Sequence, residues 1–217
     1  MDHNDSFPKS MVFKPKSAEI CVSNWQQYLN KQVTVESVTP DGIAALNKPQ
    51  GVLAHPNIDQ RASSNAIFTC PYSMKNEMYY SSDGPVAYLL NRLDSPVSGL
   101  ILIGLNKDVA QAVKRAFREK TVIKKYLALL KGHLSNRQGV WRSNIAKIKT
   151  NNTVRAAKYG NNIAITEYKL LHEFSWHSTA LSFVELRPIT GRTHQLRLHC
   201  AQNLVPIIGD KIYGNFT

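Results

Sequence analysis

The sequence NRLDSPVSGLILIG, from Asn91 to Gly104, places an acid and a base directly before an apolar run. Arg92 and Asp94 are separated by one residue, and Leu100 to Ile103 read as a buried strand. A charge left unpaired in a protein interior costs several kcal/mol, so this pair must be solvated, paired or used in chemistry. The stretch therefore predicts a strand that begins at a polar loop with a candidate site.

The segments around this loop predict further regular structure. A strand is expected at Gly42 to Leu46, ending at Lys48 because Pro49 cannot continue a central ladder. The run PVAYLL, 85–90, is a second flanking segment. A helix is expected from Asn106 to Lys120, capped by Asn106 or Asp108. Its apolar residues recur at helical spacing, and its opposite face carries Lys107, Lys114, Arg115 and Arg118.

The remaining patterns are mostly those of strands. TVIKKYLALLKGH predicts a strand closed by Gly132, and Ala164–Phe174 with Thr179–Pro188 predict a hairpin joined by the four-residue turn SWHS. A helix is expected to start at Thr190-Gly191, with Arg192 and His194 in its first turn, and a short helix within 23–32. Because strands follow one another without regular helices between them, we predict a mixed α/β (α+β) fold with a central, mainly antiparallel sheet flanked by helices.

Composition limits the possible function classes. The chain has 217 residues, 43% of them hydrophobic, which suits one large domain or two small ones and argues against disorder. The net charge of +12 and pI near 9.7 favour a polyanionic partner, with nucleic acid the commonest, over a merely basic surface. Three widely spaced cysteines argue against a zinc site or a disulfide framework. The sequence shows neither a signal peptide nor a membrane-length apolar run, which indicates a cytoplasmic or organellar protein without a membrane partner; of the two, we expect a cytoplasmic one.

Three polar clusters are candidate sites, and each has a purely structural interpretation as well. Asp94 near several arginines favours an ionised nucleophile or base, but such an acid also commonly ties a turn by an ion pair. Tyr126 on an apolar strand is more often a core residue than a catalytic one. Arg192 and Arg197 alone would indicate a phosphate-binding face. His194 and His199 are five residues apart, which does not suit a helical metal pair, and no phosphate-cradling loop or serine elbow is present.

Four motifs together resemble one family, the RluA-like pseudouridine synthases, which isomerise uridine in RNA. The family pattern His-Arg-Leu-Asp, two residues, Thr-Ser-Gly stands here as NRLDSPVSG. The pattern K-P-x-G-x-x-x-H-P stands as KPQGVLAHP, and the Lys-Tyr strand as KKYLALLKGH. The final signature stands as TGRTHQLRLH followed by PIIGDKIYG. The resemblance runs from about residue 46 to residue 214, in the family's order.

The resemblance implies a role for each matching residue. Asp94 corresponds to the essential aspartate, Arg92 to the arginine that enters the RNA helix where the target base leaves, and Tyr126 to the tyrosine that stacks on the uracil. Arg197 corresponds to the arginine that pairs with the aspartate, and Leu196 to the apolar residue beside the ring. We further expect RNA contacts from Asn91, Lys48, Arg192 and His194. The implied substrate is structured RNA, either rRNA or tRNA, acted on by a monomer without cofactor or metal.

The chain also departs from the family pattern. Asn91 replaces the usual His, and Pro96-Val97 replaces a pair that ends in Thr. We expect residues 1–40 to be an N-terminal extension without a small basic RNA-binding module of the S4 type, and 41–217 to be the catalytic domain. The chain stops at Thr217, where relatives usually continue into a further strand, so we expect a short branch or an incomplete product. These departures leave open an alternative function, a non-catalytic RNA-binding or RNA-folding protein on the same scaffold.

Overall fold

Two antiparallel sheets organise the chain, one in each of two compact units, 1–114 and 115–217. The structure is a computed structural model that describes residues 25–150, 153–158 and 161–214. Cys21, most of the N-terminal extension and the start of the predicted 23–32 helix lie outside the described residues. The predicted mixed class with mainly antiparallel pairing is confirmed, and its strands divide between the two sheets.

The first unit contains a six-stranded sheet with the order β1-β2-β6-β5-β4-β3. A single 3-10 turn, Gln26–Tyr28, precedes it where a short helix was expected. The helix of this region, α1 (Lys107–Arg118), confirms the predicted one, and Asn106 caps it because its Oδ1 accepts a 2.9 Å bond from the Val109 N–H. The strands are β1 (Thr34–Val38), β2 (Ile43–Lys48), β3 (Tyr72–Ser73), β4 (Met78–Ser81), β5 (Gly84–Leu89) and β6 (Gly99–Gly104).

The pairing of β2 with β6 positions the polar loop. Leu46 lies opposite Ile101 in this ladder, and both side chains are fully buried in the core of the unit. Leu100 to Ile103 were predicted to be a buried strand, but Leu100 is 57% exposed, so β6 is only partly covered. Lys48, the last residue of β2, lies opposite Gly99, the first of β6. The loop after β2 and the loop before β6 therefore meet at one end of the sheet.

The second unit contains a five-stranded sheet with the order β7-β11-β10-β8-β9. Its core packs Leu130, Val184 and Leu186 beneath the helix α2 (Gln195–Gln202) and the segment that follows it. The long hairpin of β8 and β9 was not predicted from the sequence. The strands are β7 (Tyr126–Lys131), β8 (Gln138–Thr150), β9 (Thr153–Lys158), β10 (Asn162–Trp176) and β11 (Thr179–Pro188).

The hairpin of β10 and β11 forms as predicted, but with a shorter turn. Ser175 pairs with Ala180 and Trp176 with Thr179, so the predicted four-residue turn was wrong. Only His177 and Ser178 form the turn, and both have a left-handed backbone, with φ of 44° and 60°. Two consecutive left-handed residues match the right-handed twist of the strands, which explains why the ladder continues to the last pair.

The helix α2 begins later than predicted. Arg192 and His194 were expected in its first turn, but the helix begins at Gln195, and His194 caps it with a φ of 51°. The side chain of Gln195 explains the delay, because its Oε1 accepts bonds from the Thr190 hydroxyl at 2.7 Å and the Arg192 N–H at 3.0 Å. These bonds fold residues 190–194 into a turn that precedes the helix.

Candidate active site

In the first unit, the end of β2 contributes a buried lysine. The Lys48 side chain is fully buried, and its ammonium group donates to the carbonyls of Pro49 at 3.0 Å, Val52 at 2.8 Å and Ser95 at 3.3 Å. An ammonium group has three donors, so these carbonyls match its capacity. Burial lowers the pKa of Lys48, and the charge of Asp94 opposes that effect. Lys48, expected to contact RNA, instead lies inside the protein between two loops.

The loop that carries Asp94 is fastened to the loop after β2. Gly51 donates its N–H to the Ser95 carbonyl at 2.8 Å, and the Ser95 hydroxyl donates to the Gly51 carbonyl at 3.1 Å. A tight turn follows, in which the Val97 N–H donates to the Asp94 carbonyl at 3.0 Å. Ser95, the residue directly after the predicted catalytic acid, is therefore fixed by bonds to Lys48 at the end of β2 and to Gly51 in the loop that follows.

Asn91 binds the backbone of β6 through both ends of its side chain. Its Oδ1 accepts from the Leu102 N–H at 2.7 Å, and its Nδ2 donates to the Leu100 carbonyl at 3.3 Å. This pairing imitates a rung of a sheet ladder and holds the segment before Asp94 against the strand. The structure thus gives Asn91 a local structural role, whereas its predicted RNA contact stays a prediction.

Arg92 and Asp94 differ in their surroundings. Arg92 is exposed, and its positive charge lies near enough to Tyr72 to oppose the rise that burial causes in the pKa of that phenol. Asp94 is half-buried, and Leu93 between them packs on the core of the unit. An exposed cation beside a half-buried carboxylate is suited to hold an RNA strand while the acid acts on it.

In the second unit, Tyr126 and Leu196 lie at the edge of the core. Tyr126 opens β7 opposite Leu186, and its half-buried ring packs against the cluster around Leu130 and Val184. Leu196, in the first turn of α2, packs against the same cluster. Both residues are therefore held by the core while part of each side chain remains accessible. The structural and functional interpretations of Tyr126 are compatible.

A buried polar network supports the turn before α2. The Nε2 of Gln195 donates to the Ile165 carbonyl at 2.9 Å and to the Thr166 hydroxyl at 3.0 Å. His199 is fully buried, with Nδ1 2.9 Å from the Thr166 hydroxyl and Nε2 3.0 Å from the Ser143 hydroxyl. Burial lowers the pKa of His199 to about 4, so the ring is neutral near pH 7. The network ties α2 to the sheet.

Both ring nitrogens of His199 therefore have a hydroxyl partner inside this network, and His199 acts as a structural histidine. Among the described residues, no group of three or more His, Cys, Asp and Glu side chains could hold a metal ion.

Arg192 precedes α2 on the surface. Its side chain is exposed, and its Nε donates to the Ile163 carbonyl at 3.2 Å. Lys124 lies close to this turn, because its Nζ donates to the Thr190 carbonyl at 3.3 Å. Burial lowers the pKa of Lys124. This turn thus presents the exposed guanidinium of Arg192, while the backbone N–H of Arg192 is fixed by Gln195. Such an arrangement is suited to binding phosphate.

Arg197 forms a two-pronged ion pair within α2 and the segment that follows. Its Nε and Nη2 donate to the two oxygens of Asp210, each at 2.7 Å. Both side chains are largely buried, at 11% and 4% exposure. Burial alone would raise the pKa of Asp210, but the bonds from Arg197 and from the Ile212 and Tyr213 N–H groups hold that pKa below its usual range. The pairing of Arg197 with Asp94 that the resemblance implies stays a prediction.

Tyr213 contacts two residues of the predicted site. Its hydroxyl lies 2.8 Å from Nδ1 of His194, and its ring lies 5.2 Å from the guanidinium carbon of Arg197. Asp210 and Tyr213 belong to the motif PIIGDKIYG, but no role was predicted for either from the sequence. The sequence shows only that this motif follows Arg197 closely, and closeness along the chain does not by itself reveal a contact. Gln195 and His199 were missed in the same way.

The structure thus builds two sets of predicted residues, one in each unit. Lys48, Asn91, Arg92 and Asp94 share the loops at the end of the β2–β6 pair. The second set lies at the start of β7 and around the first turn of α2, and consists of Tyr126, Arg192, His194, Leu196 and Arg197. Residues 42–202 match the sequence profile of a family described as RNA pseudouridylate synthase. The chain belongs to this family.

Relatives in the pseudouridylate synthase family support the RluA-like resemblance. The chain is 38% identical over 191 residues to ribosomal large subunit pseudouridine synthase C of Rickettsia bellii, a match that covers 86% of this chain and 60% of that protein. It is 32% identical over 173 residues to ribosomal large subunit pseudouridine synthase D of Borreliella burgdorferi, covering 79% and 52% respectively. The chain therefore spans about half to three fifths of the length of these two relatives.

A solved member of the pseudouridylate synthase family has the same fold. Human RNA Pseudouridylate Synthase Domain Containing 1 superposes with a TM-score of 0.63 at 26% identity, covering 84% of this chain and 69% of that one. Human RNA Pseudouridylate Synthase Domain Containing 4, at 22% identity and a TM-score of 0.60, agrees in fold. In the part of the chain that the structure describes, no helix is long and apolar enough to span a membrane.

Proposed function

We propose that this protein is an RNA pseudouridine synthase that isomerises uridine in structured RNA, either rRNA or tRNA. One observation carries the proposal: Asp94 of the family motif lies on a loop whose next residue is fixed by Lys48 and Gly51. A non-catalytic binder gains nothing from holding an acid in place among phosphate-seeking cations. Two relatives named as ribosomal large subunit synthases support rRNA as the substrate.

The reaction requires a base to leave the stack and be reattached. Extruding the target nucleotide costs a few kcal/mol, and the exposed guanidinium of Arg92 is suited to occupy the vacated position. The bond between N1 of uracil and C1′ of ribose breaks, the uracil turns over, and C5 bonds to C1′. The proton on C5 is then lost and N1 gains one, so that the atoms balance without an oxidant or an energy source.

Each remaining residue has a proposed role in those steps. Asp94 either attacks C1′, forming an ester bond that breaks when C5 bonds to C1′, or takes a proton from C2′ and later returns it. Both need an ionised carboxylate. Tyr126 stacks on the uracil and helps to remove the C5 proton, and Leu196 provides an apolar wall that keeps the detached base from leaving. Arg197 supplies the charge that stabilises the carboxylate. Arg192 and His194 contact the RNA backbone near the site.

The wider setting of the activity follows the same proposal. We propose that 41–217 is the catalytic domain and that residues before it are an extension, supported by the family match over 42–202. Strand β1, which lies before residue 40, pairs with β2 and so adds to that domain. We further propose a cytoplasmic monomer that works without cofactor or metal, because no step of the isomerisation calls for either.

The proposal is tested by release of tritium from RNA labelled at C5 of uridine. The wild-type protein should release tritium into water, because forming the bond between C5 and C1′ expels the C5 hydrogen. Asp94→Asn should abolish release while retaining RNA affinity within about twofold, since the two side chains have nearly the same size. Binding without release by the wild-type protein would instead indicate the non-catalytic RNA-binding alternative.

A further inference from the structure

We propose that Asp210 and Tyr213 are positioning residues that fix Arg197 and His194 for catalysis. The inference rests on the proposed function and deepens it, because it assigns a task to the last motif of the chain, PIIGDKIYG. Neither residue is proposed to touch RNA. Each acts through a side chain of the turn and helix that begin at Thr190.

The ion pair with Asp210 fixes the orientation of the Arg197 guanidinium plane. Two parallel bonds of 2.7 Å from Nε and Nη2 to the two carboxylate oxygens leave the guanidinium little freedom to rotate. Because both side chains are largely buried, water competes weakly for these bonds. A cation held in this way keeps its direction before substrate arrives, which is what transition-state stabilisation requires.

The same carboxylate also builds the turn that carries Tyr213. Its Oδ1 accepts bonds from the N–H groups of Ile212 at 2.9 Å and Tyr213 at 3.2 Å, in addition to the bond from Arg197. One acid therefore fixes the guanidinium and places the tyrosine against it. This arrangement explains why an acid followed three residues later by a tyrosine forms one unit.

Tyr213 joins Arg197 to His194. The tyrosine ring lies 5.2 Å from the guanidinium carbon, within range of a cation–π interaction. Its hydroxyl bonds to Nδ1 of His194 at 2.8 Å, and the two rings meet edge to face with centroids 5.7 Å apart. His194 has a left-handed backbone, a conformation that costs energy for a residue with a side chain. Tyr213 is one of the contacts that stabilise it.

The charges of this group agree with positioning rather than with RNA contact. Asp210 is a buried anion in a protein of net charge +12, and a carboxylate facing phosphates would repel them. Beside Arg197, by contrast, the carboxylate offsets the cost of burying the guanidinium. The acid is thus suited to serve the arginine.

Two substitutions of one residue separate the contacts of Tyr213. Tyr213→Phe removes the hydroxyl bond to His194 but keeps the ring beside Arg197, whereas Tyr213→Leu removes both. We expect kcat to fall about fivefold in the first variant and about thirtyfold in the second, with KM for RNA changed by less than about twofold. Asp210→Asn should lower kcat by at least about tenfold. Ile212→Val, in the same turn, is the matched control and should leave kcat unchanged.

A second measurement does not depend on activity. The Tyr213→Phe substitution should shift the ¹⁵N resonance of Nδ1 in His194, because that nitrogen loses its hydrogen-bond partner, whereas Ile212→Val should leave it in place. If the wild-type protein releases no tritium, the proposed function fails while this resonance still tests the positioning contact. An unshifted resonance would overturn the contact to His194.

Two kinetic outcomes would overturn the proposal. One is a Tyr213→Leu variant with wild-type kcat. The other is a loss of activity that disappears when the variants are assayed well below their melting temperatures, since that result means stability alone was lost. A kcat loss that persists in fully folded variants, with KM preserved, supports positioning.

Discussion

The ammonium nitrogen of Lys48 lies 3.3 Å from the carbonyl oxygen of Ser95, the residue immediately after Asp94. The same nitrogen donates to Pro49 and Val52, so one side chain joins the loop after β2 to the loop before β6. The charge of Asp94 in turn opposes the lowering of the pKa of Lys48 that burial causes. Lys48 thereby connects the packing of the sheet to the predicted catalytic acid.

Replacing Lys48 with Met should reduce both stability and activity. The apolar chain is kept, but three carbonyls lose their donor, so we expect the free energy of unfolding to fall by about 1 to 3 kcal/mol. We expect kcat to fall more than KM rises, because the Asp94 loop loosens. Urea denaturation and tritium release measure the two effects. Lys125→Met, on a side chain that is 62% exposed, is the control and should change stability by less than about 0.5 kcal/mol. Equal stabilities for the Lys48 variant and the wild type would contradict a stabilising role for the bonds that Lys48 makes between the two loops.

The salt dependence of RNA binding should distinguish two cations. Arg192 is exposed, so Arg192→Ala should make the slope of log affinity against log salt shallower by about one. Lys114, on the charged face of α1, is a second candidate for a phosphate contact, but its Nζ lies 2.8 Å from Glu77 Oε2. Because that ion pair must open before Lys114 binds phosphate, Lys114→Ala should change the slope less. Filter binding over a range of about 50 to 300 mM salt measures the slopes for both variants. Equal slopes for Arg192→Ala and the wild type would remove Arg192 from the RNA-binding surface.

The buried His199 should make the protein sensitive to acid. Its pKa is about 4 in the folded protein and 6.5 as a model value, so the unfolded chain takes up the proton first as the pH falls. The stabilisation is fully present above pH 6.5 and is lost between pH 6.5 and 4, amounting to at most about 3 kcal/mol. Denaturation curves of the wild type and His199→Gln across this range isolate the contribution, because other acids titrate in both. Parallel pH dependences of the two proteins would show that His199 is not buried as a neutral ring.

The turn of the β10–β11 hairpin should be improvable. His177 and Ser178 both have positive φ, which Asn and Gly tolerate better than other residues. The double substitution His177→Asn with Ser178→Gly should therefore raise the free energy of unfolding by about 1 kcal/mol. Ser175→Gly, within the strand, is the control and should lower it, since glycine weakens an extended strand. Thermal melting compares the three proteins, and a lower melting temperature for the double variant would exclude this turn geometry.

The features predictable from the sequence are those with local signals. The cap at Asn106, the helical spacing after it and the alternation along β10 and β11 each act over a few residues, and each is found in the structure. The end of β2 at Lys48 followed from Pro49, because proline removes a ladder donor. The family was also predictable from the sequence, because four motifs in the family's order extend over most of the chain, whereas a local pattern covers only a few residues.

The features that were missed depend on contacts between distant residues. Nothing in the sequence near Lys48 indicates that its ammonium group is buried beneath Ser95, which lies 47 positions away. The late start of α2 depends on the Gln195 side chain folding back onto Thr190, a choice that competes with helix and wins locally. Strands β8 and β9 mix Lys and Arg with apolar residues without clear alternation, so periodicity failed there.

The side-chain amide of Asn91 binds one donor and one acceptor of the β6 backbone, and this determines when the segment before Asp94 becomes ordered. These two bonds hold the stretch leading to Asp94 against β6 in the protein without RNA, so under the proposed function RNA binding need not immobilise it. A neutral histidine at this position also offers one donor and one acceptor in either tautomer, but they point further apart around a rigid ring than those of an amide. It is therefore poorly shaped to bind the same two backbone groups. The conformational entropy of ordering the segment before Asp94 is therefore lost when the chain folds, which under the proposed function is before any RNA is bound.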